Sequence, residues 1–84
     1  MKAYCTVKAS RDYQPGDKGY FAMSEDEPVI HKGDEGVVVD MLSKKDEMYI
    51  VEFFDNECSY SVLIDMHISE MDFVHPEDKD VEGA

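Results

Sequence analysis

The chain has 84 residues, enough for one small domain whose thin core must claim most of the apolar strand residues before any are available for function. Its 20 Asp and Glu against 8 Lys and Arg give a formal charge of −12, which disfavours direct binding to nucleic acid, where Lys and Arg must neutralise phosphates, and to anionic membrane surfaces. No apolar run is long enough to span a membrane, none opens the chain as a leader, and Cys5 and Cys58 form no Cys-x-x-Cys pair, so the expectation is a cytoplasmic protein with reduced thiols.

In chain order, residues 4–9 alternate, with Cys5, Val7 and Ala9 on one side and Thr6 and Lys8 on the other, the pattern of a half-buried strand. A long polar stretch follows over 10–28. Pro15-Gly16 and Gly19 mark turns in it, and residues 24–28 (Ser-Glu-Asp-Glu-Pro) form an acidic loop. Tyr20, Phe21 and Met23 are its apolar anchor, since a loop of this length needs an anchor or a function. After the short apolar piece Val29-Ile30-His31, the glycines of the turn Lys32–Gly36 predict either a positive φ or a close backbone approach.

The β-branched run Val37–Leu42 predicts a strand with Val37 and Val39 buried. A charged hairpin loop over 43–47 leads to a strand over 48–54 with Tyr49, Val51 and Phe53 inward. A further strand spans 58–64, with Cys58, Tyr60, Val62 and Ile64 inward. Residues 65–70 read as one helical turn and 71–74 as a last short strand. Pro76 and the acids after it predict a disordered tail over 75–84 behind a domain of residues 1–74. No segment sustains a helical period for ten residues. Five strands in so short a chain predict an all-β domain, curled into a small, partly open barrel.

Some motifs resemble a known family. The stretch Ala9-Ser10-Arg11-Asp12-Tyr13-Gln14-Pro15 resembles the Ala-Leu-Tyr-Asp-Tyr opening of eukaryotic signalling SH3 domains. The acidic loop 24–27 followed by Lys32-Gly33-Asp34 is similar to their acidic loop and Lys-Gly-Asp turn. The chain has no Trp and no Pro-x-x-Tyr near its end, so the aromatic walls of the proline-peptide groove are missing. The segments Lys32-Gly33-Asp34-Glu35-Gly36-Val37 and Tyr49-Ile50-Val51-Glu52-Phe53 also resemble bacterial SH3-like accessory subunits, such as the nitrile hydratase β-subunit, the ferredoxin–thioredoxin reductase variable chain and small peripheral subunits of photosynthetic complexes. The likeness covers roughly residues 3–74. It implies a five-stranded SH3-like barrel, with a long loop after the first strand and a helical turn before the last, and a non-catalytic accessory role.

Catalytic, cofactor and metal sites are not expected. His31, His67, His75 and the two cysteines match no ligand spacing. A barrel this small is filled by side chains and leaves no room for a substrate cavity. Outward apolar positions carry more information: alternation places Val38, Leu42, Ile50, Phe54 and Leu63 on outer faces. The expected partner-binding residues are Tyr13, Tyr20, Phe21, Glu25, Asp26, Glu27, Ile50 and Phe54, combining aromatic anchors with loop acids. The partner expected is a protein with a basic surface, and the oligomeric state is left open. The competing reading is an acidic inhibitor of phage type that mimics nucleic acid and blocks a basic channel. The segment 75–84 holds four acids and one Lys, so nine of the twelve net negative charges belong to residues 1–74.

Overall fold

The computed structural model describes residues 4–23, 25, 27–54 and 61–79. The chain is all-β. Its strands are β1 (Thr6–Ala9), β2 (Tyr20–Ala22), β3 (Glu35–Ser43), β4 (Met48–Phe54), β5 (Ser61–His67) and β6 (Met71–Phe73). They form one antiparallel sheet in the order β2-β5-β4-β3-β1-β6, with β2 and β6 at its ends. Among the described residues six strands stand where five were expected. The addition is β2, formed by the supposed anchor of the long loop, which pairs Tyr20 with Ile64, Phe21 with Leu63 and Ala22 with Val62. Edge pairing gives the loop's main chain its hydrogen-bond partners and packs Tyr20 against the core, while Phe21 and Met23 stay exposed.

The predicted strand 58–64 also moves. β5 runs on through Asp65, Met66 and His67, and Met66 is fully buried. Alternation of buried Val62, Ile64 and Met66 continues past the point where a helical turn was expected. Only Ile68–Glu70 turn, as a 3₁₀ segment. Cys58 and Tyr60 lie outside the described residues. At the C-terminal end the expected disordered tail begins with a 3₁₀ turn at Pro76–Asp78, whose Asp78 is 8% exposed.

The core gathers the inward faces of all the long strands: Cys5, Val7 and Ala9 from β1 and its lead-in, Val38 from β3, Val51 and Phe53 from β4, and Val62, Ile64 and Met66 from β5. The alternation predicted for β1, β4 and β5 is present. That of β3 is reversed: Gly36 and Val38 point inward, whereas Val37 and Val39 are half-buried. Gly36 lies opposite Phe53, and a side chain there would have no room. Register shifts after Val38 and after Met41 mark bulges that leave Val39 and Leu42 unpaired.

Both uses foreseen for the glycines of the 32–36 turn occur, one at each residue. Gly33 has φ +93° with open space around it, and Gly36 makes the close approach. At the 44–47 turn a residue with a side chain takes the left-handed conformation: Glu47 has φ +53°. Left-handed backbone costs an L-residue roughly 1–2 kcal/mol, part of which glycine returns as chain entropy. Glu47→Gly is therefore expected to stabilise the protein by about 0.5 kcal/mol. Urea unfolding checks it, and a clear loss of stability would contradict it.

Candidate protein-binding surface

The long loop leaves β1 and is clamped at its base. Tyr13 and Ile30 exchange main-chain hydrogen bonds, each 2.8 Å. The Tyr13 ring is buried, at 1% exposure, and its hydroxyl donates to Glu70 Oε2 at 2.9 Å. Arg11 Nε donates to the same oxygen at 3.0 Å, and its guanidinium stacks 4.0 Å over the Tyr13 ring. The other oxygen of Glu70 accepts from the His67 main-chain N–H at 3.0 Å. This bond, with the His67 side chain accepting from Ser69 N, forms a capping box on the 3₁₀ turn. Partial burial raises the Glu70 carboxyl, but the hydrogen bonds from His67, Tyr13 and Arg11 outweigh it and hold the group below its ordinary value. Burial, followed by the Glu70 hydrogen bond and charge, pushes the Tyr13 phenol up.

The structure ties two of the expected contact residues into the fold. Tyr13 is a core residue tied to Glu70. Tyr20 is half-buried against the core, and its hydroxyl donates to the Pro28 carbonyl at 2.6 Å. Large amphipathic rings serve a thin core as readily as an interface. Glu25 and Glu27 are exposed as expected, and Asp26 lies outside the described residues. Ile50 is half-buried, whereas Phe21 and Phe54 are exposed at 56% and 46%. Val38, expected to face outward, is buried.

Strand pairing brings the exposed positions together. Phe21 on β2 lies beside Leu63 on β5, and Leu63 lies beside Glu52 on β4. The next row holds Ser61 opposite Phe54, with Met23 linked to Ser61 through its N–H at 2.8 Å. Met23 is 63% exposed. In the row on the other side, Asp65 lies beside Ile50, and its N–H donates to the Gly19 carbonyl. Residues directly opposite one another in a sheet share a face. The outer face of β5 is therefore the floor of a strip, with Phe21 and Met23 along one side and Phe54 and Glu52 along the other. Small Ser61 sits between Met23 and Phe54, and its hydroxyl donates to Glu52 Oε2 at 2.7 Å.

The charge of this face is one-sided: β2, β4 and β5 contain no Lys or Arg. Elsewhere, several acids are bound by main-chain N–H groups or hydroxyls, most of them in turns and loops. Asp12, Asp17, Asp34 and Asp40 accept from the main-chain N–H groups of Lys32, Gln14, His31 and Met41. Asp46 accepts from the Ser43 hydroxyl. Such bonds are the physical reason Asp favours turns. Leu63, Met23 and Asp65 were absent from the expected contact set. Alternation along 61–65 marks Leu63 as outward, but nothing local shows that the loop residues Phe21 and Met23 pair beside it.

Among the described residues, no group of three or more His, Cys, Asp and Glu is placed to hold a metal ion, and no helix is long and apolar enough to cross a membrane. No protein-family model matches the chain, and neither curated proteins nor solved structures give a significant match.

Proposed function

We propose that the chain is a non-enzymatic protein-binding module, an accessory or regulatory subunit that docks on a larger, basic protein in the cytoplasm. The observation that carries this reading is the gathering of exposed Phe21 and Phe54 around β5, on strands without a positive charge. Exposed aromatics clustered on one face are the usual anchors of protein interfaces. The proposed scaffold is a partly open SH3-like barrel. Support for it comes from the pairing of β1 with β6 and from the 3₁₀ turn before β6. Relative to the Ala-Leu-Tyr-Asp-Tyr opening it resembles, the chain has Arg11 where the first Tyr stands, and Arg11 is ion-paired to Glu70. That substitution favours docking away from the proline-peptide groove. Mimicry of nucleic acid has less support, because several carboxylates are engaged by main-chain N–H groups of the chain itself.

An alanine scan by surface kinetics at two salt concentrations, on the partner purified with the chain, tests the reading. Phe21→Ala or Phe54→Ala is expected to weaken binding by about 2 kcal/mol, mainly by faster dissociation. Glu25→Ala is expected to cost little and to slow association, because acids roughly a Debye length (about 8 Å) from their partners chiefly steer encounter. If aromatic variants bind normally while paired acidic variants abolish binding, the mimic reading replaces this one.

A further inference from the structure

We infer that the strip along β5 takes an extended segment of the partner in which one apolar side chain is followed at every second position by Lys or Arg. This rests on the binding-module reading and names what that surface recognises. The argument starts from the register. On the floor, Ser61, Leu63 and Asp65 succeed one another at the outward positions of β5, spaced by about 7 Å. At the Ser61 end the flanking residues are Met23 and Phe54, both exposed and apolar, with the small serine between them. An inserted Leu-sized side chain has apolar walls on two sides there. One row on, Glu52 faces Leu63; two rows on, Asp65 stands between Ile50 on β4 and Gly19, which precedes β2.

The strip thus runs from apolar to acidic over about 14 Å. An extended segment lying along it presents alternate side chains to the floor at the same spacing. A residue two positions from the apolar anchor reaches Glu52, and one four positions away reaches Asp65. Both are carboxylates on strands that carry no Lys or Arg to compete for them. Among the described residues Glu52 accepts from the Ser61 hydroxyl, which uses one carboxylate oxygen and leaves the other to accept from a partner cation. A second copy of the chain is the wrong occupant, since it would bring together two bodies of charge −12.

The test uses synthetic peptides and the whole chain. The probes are acetyl-Leu-Ser-Lys-Ser-Lys-amide and its reversed sequence, with Glu-for-Lys and Ser-for-Leu versions as controls, read by amide shifts in ¹⁵N spectra. The expected result is a set of shifts confined to Phe21, Glu52, Phe54 and residues 61–65. Phe54→Ser in the protein, or loss of the peptide's Leu, should weaken binding by about tenfold or more, and the Glu peptides should not bind. Shifts spread evenly over Glu35, Asp72 and Glu77, or equal binding without the Leu, overturn the inference in favour of plain charge attraction. A second arm places benzoylphenylalanine at position 21 or position 42 and maps the crosslinked segment of the partner. A crosslink from 21 into an apolar–x–basic–x–basic segment supports the inference. A crosslink from 42 alone overturns it and leaves the binding-module reading standing, and no crosslink from either overturns both.

Discussion

Gly36→Ala is expected to destabilise the protein by about 3 kcal/mol, a large share of the total stability of so small a domain. An added Cβ would lie 2.8 Å from Val51 Cγ1, 2.9 Å from the Glu52 carbonyl oxygen and 2.9 Å from Phe53 Cδ1. None of these atoms yields cheaply. Val51 and Phe53 are fully buried, and the Glu52 oxygen belongs to the main chain of a central strand. The Phe53 ring covers the glycine opposite it, an arrangement that closes the gap a missing side chain leaves in a sheet. Urea unfolding should show the midpoint falling by roughly 2–3 M at an m-value near 1 kcal/mol/M. Gly33→Ala serves as a control, because it meets no atom within 4 Å and pays only for its φ of +93°, about 1 kcal/mol. If Gly36→Ala costs no more than the control, the close approach of β3 to β4 is misplaced.

Glu70→Ala is expected to cost a similar amount, about 3 kcal/mol, for an electrostatic reason. The carboxylate accepts from Arg11, Tyr13 and the His67 main chain. Its removal leaves the Tyr13 hydroxyl partly buried without its acceptor and frees the base of the long loop. Tyr13→Phe in the same chain should recover part of the loss, so the two changes should combine less than additively. The pH dependence has a definite sign. The folded-state carboxyl titrates below its ordinary 4.5, so its contribution is present in full above that value and is lost as pH falls through the folded pKa. The stability difference between the protein and Glu70→Gln should therefore hold at neutral pH and shrink below about pH 4.5. A difference independent of pH would show that the Glu70 charge contributes nothing to the clamp.

The strand class and most strand faces were legible in the sequence because a side-chain period of two is a local property. Cys5–Val7–Ala9, Val51–Phe53 and Val62–Ile64 could each be assigned to the interior from their own alternation, and the bounds of β4 followed from the turn residues before it. Charge was equally legible, as were the turns at 32–36 and 43–47, whose residue types answer to local backbone geometry.

The assignments that the sequence could not make all depended on what lies across the sheet. Three consecutive valines alternate equally well in either phase. Val38 became the buried one because Gly36, two residues before it, has no side chain to meet the Phe53 ring opposite. Asp65 to His67 resembled a helical turn until β4 supplied a ladder for them as far as Met48. Tyr13 and Tyr20 had the composition of an interface, yet Glu70 and the Pro28 carbonyl, distant and near along the chain, drew both into the fold. The same long-range pairing placed Phe21 beside Leu63 and made one outer face from a loop and a strand some forty residues further on. Local pattern determines which side of a strand a residue takes; only tertiary pairing determines which residue stands next to it, and a binding surface is made of neighbours.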